Sequence, residues 1–174
     1  LMKLERDDLV ESAPMHGARV TPLTPERVRN SQVLREAIEC QAARLCAQNA
    51  DKKAFDGLLE LAIPLDQAMQ KADPKSMART RQHMEFHLAI AEASGASVLV
   101  HQLTRLWYCR FMHLIWINVA QEPVPEDWHQ QLVRALATRD PDIAEAAMRE
   151  HVMFGNDRHL EALQKMNDSG ELTG

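Results

Sequence analysis

From Thr24 to about Met166, apolar side chains recur at the three- and four-residue spacing of helices, and few stretches are rich in Val, Ile or Thr. Such a pattern confines the chain to packed helices. Val33, Leu34, Ala37, Ile38, Ala42 and Leu45 mark a first helix that ends near Asn49, with Thr24 placed to cap it and Pro25 in its first turn. Phe55, Leu58, Leu59, Ala62 and Leu65 mark a second from about Asp51 to Lys71, which Pro64 kinks or interrupts. The breaks "KADPKS", "SGAS", "QEPVPED" and "RDPD" set off four more. The third runs from about Ser76 to Ala93, a long fourth to about Asn118, and a fifth to near Arg139. The sixth is capped by Asp140 and runs to about Met166. Only six glycines and eight prolines occur, and Ala, Leu, Gln, Glu and Arg dominate, as an all-helical chain requires. The expected fold is all-α, an antiparallel bundle of about six helices.

The first residues differ. "LVES" and "ARV" are strand-like pieces around "APMHG", where Pro14 and Gly17 supply a turn, and Leu1 to Arg6 reads as the end of a helix. A helix end and a hairpin make a poor independent domain, so residues 1–22 are expected to be the remnant of one. Residues 23–168 form the bundle, and 169–174 a mobile tail.

A formal net charge of −5 argues against a broad nucleic-acid surface on this stretch of chain. Cys40, Cys46 and Cys109 are odd in number and lack CxxC spacing, which fits a reducing compartment. The start shows no signal-peptide pattern, and the apolar stretch near residues 98–119 is broken by His101, Arg105, Arg110 and His113. A cytoplasmic protein that does not enter the membrane is expected. Trp107, Phe111 and Trp116 read as core or dimer interface.

The chemistry lies in "RQHMEFHLAI", residues 81–90. His83 and His87 stand four positions apart, about 40° around a helix, and can reach one point. Two half-buried histidines with backbone or water partners are the ordinary alternative. His129 and His151 lie on two further amphipathic helices, and a bundle can gather ligands from several helices at one interior point. Of the others, His16 and His159 read as surface residues, and His101 and His113 as core or pocket. A zinc-protease helix needs Glu directly after its first His, where this chain has Met84. A di-iron bundle needs two ExxH pairs, and only Glu126 with His129 is present. Phosphate-binding and nucleophile-elbow motifs do not occur.

"VLREAIECQAARLCAQNA" resembles the first helix of the effector-binding FCD domain in the FadR subfamily of GntR-type transcription regulators, with Arg35 and Glu39 in its R-x-x-L/I-E pattern. "HMEFHLAIAEASGA" resembles the D-x-x-F-H segment of that family. "WHQQLVRALATRDPDIAEAAMREHV" resembles its paired histidine helices, and "MKLERDDLVESAPMHGARV" the recognition-helix end and wing of a winged helix-turn-helix. The resemblance implies a homodimeric, ligand-responsive regulator that binds operator DNA through the full-length protein. It also implies a small carboxylate effector and a divalent metal held by His83, His87, His129 and His151. His83 stands where the family usually has Asp, Ala96 where Asn is common, and Asp8 where Gly is common. An all-nitrogen shell favours zinc first and nickel second. Arg35 is the expected effector anchor, Glu39 its structural partner, and Arg19 and His16 on the wing the expected DNA contacts. A helical metalloenzyme acting on a small organic acid, and a dimerisation domain with packed histidines, are the competing readings.

Overall fold

The computed structural model describes residues 2, 5, 10–13, 17–21, 24–71, 77–108 and 123–169. A hairpin, β1 (Val10–Ala13) and β2 (Gly17–Val20), pairs antiparallel with Val10 opposite Val20. Among the described residues seven helices follow: α1 (Pro25–Asn49), α2 (Lys52–Met69), α3 (Met77–Ala93), α4 (Ser97–Tyr108), α5 (Trp128–Ala137), α6 (Pro141–Met153) and α7 (Asn156–Asp168). The fold is an all-α bundle with a small wing-like hairpin before it.

Several helix starts follow the sequence signals. The Thr24 hydroxyl accepts from the Arg27 amide at 3.2 Å, the Asp51 carboxylate from Ala54 at 2.8 Å, and the Asp140 carboxylate from Asp142 at 2.8 Å. Pro64 does not end α2, which continues to Met69.

The centre of the bundle is α1, which packs against α3, α4, α5, α6 and α7. A helix covered on several sides need not show one apolar stripe. Small residues Ala42, Ala43, Cys46 and Ala47 are buried along α1 and let its neighbours approach closely. They join Phe55, Leu58, Leu65, Phe86, Ile90, Leu132, Leu136 and Met148 in one core, and Val28, Ile38, Leu103 and Leu163 in another. Arg44 ties α1 to α6 through Asp142 at 2.6 Å and Glu145 at 2.7 Å. The Gln32 amide donates to the Val152 carbonyl across the same seam.

Three expectations need correction. Val33 and Leu34 match the helical pattern but are 63% and 48% exposed, because the buried faces of α1 carry Gln32, Arg35, Ile38 and Glu39 instead. The expected sixth helix is two, α6 and α7, broken at Phe154–Gly155, where Gly155 takes a left-handed φ of 69°. His101 is exposed rather than in core or pocket. The expected helix beyond residue 108, with Phe111, His113 and Trp116, lies outside the described residues, as does the tail beyond 169.

The two faces of α2 supply a stability test. Leu65 is fully buried and Ile63 is 44% exposed. Leu65→Ala is expected to cost about 2–5 kcal/mol in urea unfolding, through lost transfer energy and a cavity. Ile63→Ala is expected to stay within about 0.5 kcal/mol.

Candidate metal centre

Five helices supply the buried polar groups of the site: one each from α2, α5 and α6, two from α1 and three from α3. Along α3 the buried residues Arg79, His83 and His87 follow one another at four-residue intervals, so one face carries them on successive turns. His129 sits in the first turn of α5, and His151 in the last turn of α6. Arg35 and Glu39 come from α1, and Asp66 from α2.

Ligand atoms of His83, His129 and His151 all lie within 4.8 Å of one another. His87 Nε2 is 3.1 Å from His83 Nε2. Two imidazole nitrogens bound to one ion at about 2.1 Å lie roughly 3.0–3.4 Å apart, so this spacing fits shared ligation as well as a hydrogen bond. All four rings are buried, at 5% exposure or less. Among the described residues, His129 Nε2 and both ring nitrogens of His151 have no hydrogen-bond partner. Orphaned nitrogens around one buried point suit a cation better than a packed core, where polar atoms are normally satisfied.

Carboxylates stand behind two of the rings. Asp66 Oδ1 is 2.6 Å from His129 Nδ1 and accepts the His129 backbone N–H at 2.9 Å, and Oδ2 accepts from the Gln130 amide at 3.2 Å and its side chain at 3.0 Å. Glu39 sets one oxygen against His87 Nδ1 and the other 2.5 Å from Arg35 Nε. A carboxylate on Nδ1 turns the lone pair of Nε2 outward, as metal-bound histidines require.

The electrostatics favour neutral rings. Burial first, and then the neighbouring imidazoles and Arg35, push His83 and His151 well below the usual histidine value. Burial also lowers His87, against the pull of Glu39. Burial would raise Glu39, but Arg35 and His87 overcome it and hold the carboxyl at about 2. Burial is likewise outweighed at Asp66, where bonds from His129 and Gln130 lower the carboxyl. Neutral imidazole is the form that ligates. Burial raises the Cys40 and Cys46 thiols to about 11, so neither offers a thiolate.

Trp128 stacks on His151 with ring centres 4.0 Å apart, and Phe154 lies 5.0 Å from Trp128. A cleft of about 240 Å³ between α5 and α6 reaches His151 here, lined also by Gln131 and Glu150. Asp66, which stands behind His129, has no local signal in the sequence, because its partners lie on another helix; Arg79 is buried on the same helix as His83 and His87. Arg19 lies on β2, exposed and 2.5 Å from Glu11, and His16 lies outside the described residues. Among the described residues, no helix is long and apolar enough to cross a membrane.

Lowered histidines make a pH prediction with a definite sign. Below about 6.5 the unfolded chain binds protons that the folded chain refuses, so stability falls as pH drops towards the lower folded values. Urea unfolding of metal-free protein should lose about 1.4 kcal/mol per pH unit for each ring kept neutral between pH 6.5 and 5. A flat stability across that window would show that the rings are not held neutral.

The family model described as FCD domain matches residues 32–154. A "Uxu operon transcriptional regulator" of Escherichia coli K12 is 30% identical over 135 residues, covering 70% of this chain and 52% of the relative. A "Uxu operon regulator" of Haemophilus influenzae is 26% identical over 126 residues, covering 68% and 46%. This chain spans about half the length of these curated relatives. Among solved structures, E. coli McbR/YncC matches with a TM-score of 0.74 at 22% identity, covering 92% of this chain and 80% of that one. A GntR-family transcriptional regulator from Pseudomonas syringae pv. tomato matches with a TM-score of 0.65 at 22% identity, covering 94% and 69%. Both curated relatives are named as regulators, not as enzymes.

Proposed function

The chain belongs to the FCD-domain family, and we propose that it is the effector-sensing part of a GntR-type transcription regulator that binds a small carboxylate at a histidine-held divalent metal. The observation that carries the metal is the set His83, His129 and His151, with ligand atoms within 4.8 Å in a buried site and orphaned nitrogens on two of the rings. His87 joins as the fourth ligand. Operator binding, with Arg19 and His16 on the wing, and a homodimer matched to a two-fold operator are assigned to the whole protein.

The metal would act as a Lewis acid that draws an anionic group to an open coordination position. The residues of this chain set the charge. Among the groups that act directly on the rings, Asp66 and Glu39 are ionised and Arg35 is positive, so a divalent ion leaves one positive charge uncompensated there. Burying that charge is costly unless an anion joins it, and a single carboxylate does so. Arg35 is the second anchor: it is buried on α1, and its charge is felt at His83, His87 and His151. A guanidinium can share its fork between Glu39 and an incoming carboxylate. Imidazole nitrogen suits zinc first and nickel second. The cleft beside Trp128 and Phe154 gives solvent a way to His151.

Elemental analysis after zinc loading and dialysis is expected to find one ion per chain. His83→Ala and His151→Ala should each weaken zinc by at least about 100-fold, the upper end of what an outer-shell change costs. A small dicarboxylate such as malonate should bind the zinc-loaded protein and lose its binding after chelation. Wild-type protein that retains neither zinc nor nickel would end the metal reading. Malonate affinity unchanged by chelator would separate effector from metal.

A further inference from the structure

Helix α5 begins without a working cap of its own. Its N-cap residue, Asp127, makes no side-chain bond to the helix amides, and its oxygens go to Gln131 at 2.7 Å and Arg134. The first-turn amides of His129 and Gln130, the second and third residues of the helix, have no intrahelical acceptor and are the ones an N-cap side chain normally serves. They are served instead by Asp66, at 2.9 and 3.2 Å, from a different helix. The Asp66 side chain is 2% exposed, and the Gln130 side-chain amide also donates to it at 3.0 Å.

The same carboxylate meets the ring. Asp66 Oδ1 lies 2.6 Å from His129 Nδ1. The other groups facing Asp66 are N–H donors, so it faces them as an ionised acceptor and the ring must supply the proton. Nδ1 therefore carries hydrogen, and Nε2, which has no partner among the described residues, is left bare. One ring nitrogen of His129 belongs to the cluster with His83 and His151, and with Nδ1 turned to Asp66, Nε2 is the nitrogen left for it.

We infer that Asp66 is the positioning residue of the centre: one buried carboxylate caps α5 from α2, fixes the His129 proton on Nδ1 and aims bare Nε2 at the ion. The inference deepens the metal reading above and rests on it. It separates Asp66 from an ordinary cap, which would stabilise α5 without deciding where a ring proton sits. It also makes α2, which supplies no ligand, part of the metal site.

The test uses the whole chain, with zinc alone as the probe and a chromophoric chelator as competitor. Asp66→Asn removes the charge while keeping size and shape, and zinc affinity should fall about 10–100-fold, as when the outer partner of a ligand is lost. Gln130→Ala removes a contact to Asp66 but leaves the bond to the ring, and zinc affinity should change by less than about threefold against that range. Nitrogen-15 NMR of the histidine rings in metal-free wild-type protein at pH 7.5 reads the proton directly. His129 protonated on Nδ1 is the expected result. Protonation on Nε2, or a folded Asp66→Asn protein within about threefold of wild type for zinc, would overturn the inference. If Asp66→Asn does not fold, or if wild-type protein takes up no zinc and the metal reading fails, the ring proton alone decides whether Asp66 sets this histidine.

Discussion

Burying an ionisable ring with an unsatisfied nitrogen costs free energy, about 1–3 kcal/mol for a neutral polar group and more for a charged one. This chain buries four imidazoles at one point, with His83, His87, His129 and His151 at 5% exposure or less, and two of them, His129 and His151, hold a ring nitrogen with no hydrogen-bond partner among the described residues. Phe86 packs edge-on against His87 and His129, with ring centres 5.6 and 5.2 Å away, and Trp128 covers His151. Hydrophobic burial elsewhere must offset that cost in the metal-free state, and a bound ion would remove much of it. Because such binding favours the folded form, the ion would stabilise the bundle it sits in.

The arrangement of helices brings these four side chains together. α1 runs through the middle because its small residues let five neighbours close around it, and its polar face carries Arg35 and Glu39 inward rather than to solvent. α2 gives Asp66, α3 two imidazoles, and α5 and α6 one each. Each of these histidines lies on a helix, whose backbone is stiffer than a loop and fixes side-chain direction. An ion or effector that shifts α5 or α6 therefore shifts packing against α1, and this gives a physical route from the site to the rest of the bundle. The Trp128–His151 stack joins α5 to α6 next to the cleft, where such a shift would begin.

Much of this is legible in the sequence where one helix carries the signal. The four-residue spacing of His83 and His87 puts both on one face, and amphipathic patterning turns His129 and His151 inward. Caps at Thr24 and Asp140 are likewise local. What is not legible depends on tertiary neighbours. Asp66 and His129 lie 63 residues apart, and nothing in "IPLDQAM" distinguishes a cap for another helix from a surface carboxylate. Val33 and Leu34 match a helical core pattern yet face outward, because α1 spends inward positions on charged residues. Helical periodicity carries on past Phe154, so the break at Gly155 is visible only in its left-handed backbone.

The most direct measurement is an anomalous difference map at the zinc edge from crystals of zinc-loaded protein. A shared histidine centre predicts one strong peak per chain among His83, His87, His129 and His151, within about 2.0–2.2 Å of their ring nitrogens. A zinc-loaded crystal with no peak there, or with zinc only at surface residues, would contradict the centre and the regulation built upon it.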